Sequence, residues 1–197
     1  TDLKRYKKNK GVSRSRNYGI SESLDTDYIL FVDGDDEINI NLADYLNKGK
    51  LVNDLYAFDF SIVGNKKEIQ QSHLESGIIF NDKSISEYLF SYLIKPNKKS
   101  MFVSCWAKMY KTKILKNNVK LRFKEGMKIN EDALFVFSFI RKCKIIEYVN
   151  VLAYKYNDNS TLIDRASFAV HSDVTQFFSI ISALRQLRFY LIEKRQN

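Results

Sequence analysis

Proline is nearly absent from these 197 residues, Pro96 being the only one, and glycine occurs just seven times. Together these scarcities exclude a collagen-like, linker-rich or low-complexity chain. The two cysteines, Cys105 and Cys143, have neither metal-ligand spacing nor the density of a disulfide framework, which points to a reducing, cytosolic setting. The two histidines, His73 and His171, lack partners at ligand spacing, and a surface position is the ordinary reading for both. His171 is the one that would complete a metal site from the C-terminal region. No apolar run approaches the ~20 residues needed to cross a bilayer, and no signal-peptide pattern opens the chain.

What is present is aromatic and basic. Fourteen Phe and twelve Tyr stand against a single Trp, with 45% apolar residues overall, enough for a substantial core in one domain. The formal charge of +9 is unevenly placed. Residues 1–16 carry seven Lys or Arg against Asp2, and residues 95–128 carry eleven against Glu125. Such stretches favour polyanions or an anionic membrane face, or are simply a solvated surface.

The acids concentrate after one strand-like run, Tyr28-Ile29-Leu30-Phe31-Val32, which leads straight into Asp33-Gly34-Asp35-Asp36. A short apolar run of β-formers reads as a buried, central strand delivering charge to its carboxyl end, where open α/β sheets bind ligands. Asp33 and Asp35 point the same way in extended backbone, and Gly34 leaves the chain free to turn. A divalent cation carrying a phosphorylated ligand suits this oxygen set, while an Asp-rich surface turn accounts for it equally well. An EF-hand is excluded, because Ile38 occupies the position that needs glycine.

The preceding block is Asn9-Lys10-Gly11-Val12-Ser13-Arg14-Ser15-Arg16-Asn17-Tyr18-Gly19-Ile20. With Phe31-Val32-Asp33-Gly34-Asp35-Asp36 it resembles N-x-G-x-S-x-x-R-N-x-G-I followed by F-V-D-x-D-D, the pattern of the family 2 glycosyltransferases. Glu131-Asp132-Ala133-Leu134-Phe135 resembles the family's E-D-x-x-F block, and Trp106-Ala107-Lys108-Met109-Tyr110 its W-x-K-x-Y segment. The matches keep the family's order across residues 9–157.

The resemblance implies an α/β, GT-A-like (Rossmann-related) mixed sheet flanked by helices, with a C-terminal helical segment. It implies inverting transfer of a sugar from a nucleotide-diphosphate sugar, a UDP-sugar first, to an acceptor hydroxyl, with Mn²⁺ or Mg²⁺. Asp33 and Asp35 match the metal positions, Asp35 as direct ligand and Asp33 nearer the ribose. Asp36 would support them or cap the next helix. Asp132 matches the general base, at a helix N-terminus whose dipole favours negative charge, with Glu131 orienting it or binding acceptor. Arg16 and Asn17 match the R-N pair on the nucleotide side. Trp106 would stack on the acceptor, and Lys108 would be a second phosphate contact or a surface lysine. Asn159–Arg165 weakly resembles the family's loop near the diphosphate.

The expected layout is a glycosyltransferase domain over residues 1–165 and an amphipathic helical extension over 166–197. That extension would pack on the domain, form a homodimer contact or rest on an anionic membrane. Helices are expected over 11–24, 41–48, 84–94 and 131–142, with Gly11 permitting close backbone approach at the first. Strands are expected over 55–63, 68–73, 103–110, 145–149 and 152–156. The family's N-terminal β-α-β-α-β segment, which grips the nucleotide base, is expected to be missing, so that the chain alone would bind donor poorly. The expected partners are the donor and a glycan or lipid-linked acceptor, in bacterial surface polysaccharide or glycolipid synthesis. The expected location is the cytoplasm, peripheral to the inner membrane face, with no nucleic acid. Two other classes fit the lysine stretches: a basic non-catalytic module for anionic membrane or nucleic acid, and a degenerate partner subunit.

Overall fold

The computed structural model describes residues 10–23, 25–64, 67–71, 78–80, 83–88, 101–127 and 131–158. Helix α1 (Val12–Glu22) leads to strand β1 (Tyr28–Leu30), then β2 (Glu37–Ile38) and helix α2 (Ile40–Leu46). Next come β3 (Leu55–Gly64), β4 (Lys67–Gln71), β5 (Ile78–Phe80) and a helical stretch, α3, over 83–88. Strand β6 (Lys108–Lys111), helix α4 (Thr112–Asn117), helix α5 (Glu131–Ile140) and strand β7 (Ile146–Asn157) complete the order. The segment 159–197, including the expected C-terminal extension and the Asn159–Arg165 loop, lies outside the described residues, as do His73, His171 and Pro96.

The sheet runs β1-β6-β3-β7-β2, with β4 on β3 and β5 on β7. Among the described strands β3 and β7 pair in parallel and the other pairs are antiparallel, with an isolated parallel bridge between Phe31 and Trp106. This is a mixed sheet, and it is covered on both faces. Along β3 the side chains alternate: Leu55 and Ala57 join a cluster with Ile20, Phe135, Phe139 and Leu115, while Tyr56 and Phe58 join one with Leu42 and Met109. Period two therefore sends alternate residues to α1, α4 and α5 on one side and to α2 on the other.

Several expectations are corrected. Among the described residues β1 is the end strand of the sheet, bonded to β6. Its apolar run reflects cover on both faces rather than strands on both sides: Ile29 and Phe31 enter one core cluster, and Tyr28 and Leu30 pack on the other. The strand expected over 103–110 shrinks to Lys108–Lys111, because Ala107 adopts φ 52, a left-handed conformation that interrupts extended backbone. The two strands expected near the end are one, β7, whose register against β3 shifts around Asp59. Strands β2 and β5 were not anticipated. Gly11 does sit at the start of α1, but for its backbone (φ 87) and not for close approach, since a Cβ there would meet nothing within 4 Å. Gly34 has neither a left-handed φ nor a crowded Cβ position.

One aromatic cluster ties the end of β1 to the start of α5. Phe123 and Phe135 stack with centroids 4.0 Å apart, and Phe31 meets both edge-on at 5.2 and 5.6 Å. Phe31 lies two residues before Asp33, and Phe135 lies three after Asp132. Truncating Phe135, which is 1% exposed, is expected to cost about 3–5 kcal/mol. Urea unfolding of Phe135→Ala checks this, and a cost under about 1 kcal/mol contradicts a rigid aromatic base.

Candidate active site

The acids after β1 and the acids opening α5 meet at one guanidinium. Arg16, on α1, donates Nη2 to Asp33 Oδ1 at 2.6 Å and Nη1 to Asp132 Oδ1, with Glu131 Oε1 3.8 Å away. Its side chain is 11% exposed, against 32% for Asp33, 15% for Glu131 and 20% for Asp132. Burial opposes the charge on Arg16, yet Cys105, Asp132 and Asp33 around it outweigh that and push its pKa up. Its guanidinium also lies 5.2 Å from the Phe123 ring centroid, within cation–π range. The second oxygen of Asp132 accepts from the Cys105 backbone N–H at 3.2 Å. Burial raises the Glu131 carboxyl, and the nearby charge of Asp132 adds to it. Residues far apart in sequence thus meet in one cluster.

Asp36 turns inward. Its carboxylate accepts from the Tyr154 hydroxyl at 2.6 Å and from the Asn157 backbone N–H at 2.8 Å. Burial raises its pKa, the two hydrogen bonds pull it back, and Asp35 and Asp33 raise it further. Asp35 is exposed. Its backbone carbonyl accepts from Asn157 Nδ2 at 2.6 Å, and no bond to its carboxylate is seen among the described residues.

This donor set fits a hard divalent cation shared with a ligand. Three carboxylates (Asp33, Glu131 and Asp132) gather around the single guanidinium of Arg16, so the cluster carries excess negative charge. Among the described residues no group of three or more His, Cys, Asp or Glu is arranged to enclose an ion alone. One or two carboxylates with phosphate oxygens and water suffice for Mg²⁺; Asp35, exposed and two residues from Asp33, is the carboxylate of the loop open to such a ligand.

Three expected residues take different parts. Asn17 is a clip: its amide donates to the Phe123 carbonyl and accepts from the Phe123 N–H, both at 2.8 Å, which uses its side chain for folding rather than for a ligand. Arg16 is already engaged by carboxylates, so it is not a free phosphate contact. Lys108 is neither a surface lysine nor presented to a phosphate. It is 2% exposed, and its ammonium donates to the Trp106 carbonyl at 3.1 Å and to Ser104 Oγ at 3.3 Å. Trp106 is half-buried, stacked on Tyr154 (5.0 Å, 8°) and Tyr156 (5.5 Å, 16°), with Phe60 edge-on. Tyr154 and Asn157 were not anticipated; the Tyr154-x-Tyr156 alternation just before Asn157 was the available signal.

A mixed sheet clad by helices, with acids beyond one strand answered by an acid from a helix, is the architecture of a GT-A-like domain. Solved structures share it. The crystal structure of S. aureus TarS 1–349 in complex with UDP-GlcNAc superposes with a TM-score of 0.61 at 23% identity, covering 81% of this chain and 43% of that one. The same protein in complex with UDP gives 0.56 at 19% identity, over 90% and 44%. At these identities the likeness is one of fold. The profile described as Glycosyl transferase family 2 matches residues 3–118, more than half of the sequence, and the chain belongs to that family. That match includes Arg16, Asp33 and Asp35; Glu131 and Asp132 lie beyond it. Curated relatives are the poly(ribitol-phosphate) beta-N-acetylglucosaminyltransferase TarP of Staphylococcus aureus (strain N315), 29% identical over 145 residues, and the cholesterol galactosyltransferase of Borreliella burgdorferi (strain ATCC 35210 / DSM 4680 / CIP 102532 / B31), 27% identical over 154. These alignments cover 72% and 75% of this chain but only 40% and 42% of the relatives.

Burial lowers the Lys108 pKa to about 8. The folded state therefore holds fewer protons than the unfolded state between about pH 8 and the ordinary lysine value, and stability rises with pH across that window. Below pH 8 both states are charged and the full burial penalty applies. Lys108→Met is expected to match or exceed wild-type stability at pH 7, and wild type should gain on it between pH 8 and 10. Paired urea titrations at pH 7 and pH 10 check this; a constant difference contradicts it.

Proposed function

We propose that this chain supplies the catalytic face of an inverting glycosyltransferase. It moves a sugar from a nucleotide-diphosphate sugar, a UDP-sugar first, to a hydroxyl of a bacterial surface glycan or glycolipid. The single observation that carries the reading is the shared guanidinium: Asp33 and Asp132 both bond Arg16. A carboxylate suited to the donor side and one suited to the acceptor side are therefore held on one side chain.

Asp35, with Asp33, would hold Mn²⁺ or Mg²⁺, which supplies charge neutralisation for the departing diphosphate. Asp132 takes the proton of the attacking hydroxyl as general base. The new bond forms between that oxygen and the sugar's anomeric carbon, the bond from that carbon to the diphosphate breaks, and the nucleoside diphosphate leaves. One in-line displacement inverts the centre. The Cys105 N–H and Arg16 fix Asp132 from two sides, an orientation that serves a positioned base. Trp106 offers a flat face on the acceptor side, and Glu131 lines the same cleft.

The UDP-GlcNAc and UDP complexes of TarS, and the sugar transfers named for TarP and the Borreliella enzyme, support this donor class. Metal identity, the acceptor and a peripheral cytoplasmic location at an anionic membrane are parts of the same proposal. The basic-module reading is not favoured, because it leaves the acid cluster without a role. Part of the lysine-rich stretch also has partners within the chain: Lys108 is buried, Lys111 bonds the Val52 carbonyl at 2.6 Å, and the exposed Lys116 pairs with Asp25.

Asp132→Ala is expected to lower turnover by roughly 10²–10⁴ while nucleotide binding persists, and Asp35→Ala to lose cation-dependent nucleotide binding. UDP release with acceptor present, UDP calorimetry with Mn²⁺, and far-UV circular dichroism to confirm the fold make the test. Wild-type turnover in Asp132→Ala overturns the assignment.

A further inference from the structure

Residues 33–39 are bound along their length to the end of β7. The Tyr154 hydroxyl accepts from the Asp33 N–H at 3.1 Å and donates to Asp36 Oδ2 at 2.6 Å. Asn157 gives its backbone N–H to Asp36 Oδ1 and its side-chain amide to the Asp35 carbonyl. Glu37 and Ile38 pair with Lys155 and Tyr154, and the Asn39 N–H reaches the Ala153 carbonyl at 2.9 Å. The Tyr154 ring, 0% exposed, lies flat against Trp106. Trp106 in turn is set by the Lys108 ammonium on its carbonyl and by the left-handed backbone of Ala107.

We propose that Tyr154 is a positioning residue for the acidic loop. Its hydroxyl fixes the loop at both ends of the Asp33–Asp36 turn, so that Asp35 is left facing outward. Its ring fastens the same loop to the Trp106 platform, so the donor-side acids and the acceptor-side indole are held as one unit. Asp36 is the anchor of this arrangement rather than a ligand, because Tyr154 and Asn157 occupy both of its oxygens. The inference rests on the cation–diphosphate reading of Asp35.

The test compares wild type, Asp35→Ala, Tyr154→Phe, Asp36→Asn and the Tyr154→Phe/Asp36→Asn double variant by UDP calorimetry in Mn²⁺. The single tryptophan of the chain gives an independent readout of the stack through its emission. Tyr154→Phe and Asp36→Asn are each expected to weaken UDP binding roughly tenfold, the scale of one hydrogen bond to a charged group. The double variant is expected to lose less than the sum of the two single ones, since Tyr154→Phe deletes the donor and Asp36→Asn weakens the acceptor of one shared bond, while Tyr154→Phe also releases the Asp33 N–H. Trp106 emission should match wild type in Tyr154→Phe, because the ring remains. Wild-type affinity in Tyr154→Phe, with binding lost in Asp35→Ala, overturns the positioning role and leaves the functional reading standing. Additive losses in the double variant overturn it as well. Undiminished binding in Asp35→Ala overturns the functional reading and the inference together.

Discussion

Everything in the cleft depends on compensating like charge. Two carboxylates about 4 Å apart repel by about 4 kcal/mol at the effective dielectric of a protein surface. This chain places Asp33, Glu131 and Asp132 against one another in a part-buried hollow. Arg16 makes that tenable by bonding Asp33 and Asp132 at once and lying near Glu131. A lysine would be a poor substitute, because a planar fork presents several donors in fixed directions whereas an ammonium is a compact point charge. The guanidinium also needs a floor, which the Phe123 ring supplies. The Asn17 clip on Phe123 places that ring from the residue next to Arg16 itself. One turn of α1 therefore sets both the cation and its support.

The rigidity of the arrangement comes from the aromatic residues that dominate the composition. Phe31, Phe123 and Phe135 interlock beneath the acids, and Tyr110 packs edge-on against Phe31 and Phe139 while donating its hydroxyl to the Cys105 carbonyl. The Cys105 peptide is thus held from both sides, by Tyr110 at its carbonyl and by Asp132 at its N–H. Side chains locked by packing hold charged groups where a flexible aliphatic core would let them drift. The abundance of Phe and Tyr, which from composition suggested a well-filled interior and stacking surfaces, is the mechanical basis of the candidate site.

The legible parts were those encoded locally. Asp33, Asp35 and Arg16 sit in contiguous motifs, and Asp132 opens a helix with an apolar face, so type and order were enough to nominate them, and the structure brings Arg16, Asp33 and Asp132 into contact. The parts that escaped depend on pairing between distant segments. Nothing near Tyr154 in sequence announces that β2 will lie beside it, and Asp36 reaches it only across that pairing. Lys108 was misread because position in a basic stretch suggests solvent. The left-handed turn at Ala107 interrupts the extended run before it, and the ammonium ends on the Trp106 carbonyl. Asn17 was misread for a similar reason: its motif neighbour is the charged residue of the site, but its own amide is consumed by the Phe123 backbone. The place of β1 at the end of the described sheet was hidden because burial by helices and burial by strands leave the same apolar signature.

The overall charge and the local charge of this protein have opposite signs, and the contrast has a mechanistic consequence. A chain of +9 draws anions toward its surface, the diphosphate of the proposed donor among them. The acids around Arg16 leave a local excess of negative charge, and a diphosphate placed beside them unaided meets repulsion at short range. Attraction at a distance and repulsion at contact are reconciled if a divalent cation accompanies the ligand. In the proposed function Asp35 would receive that cation, because among Asp33, Asp35, Asp36, Glu131 and Asp132 it is the exposed carboxylate. The same geometry explains why Arg16 can remain with Asp33 and Asp132: its charge balances the cleft's own acids, leaving the ligand's charge to be balanced by what the ligand brings.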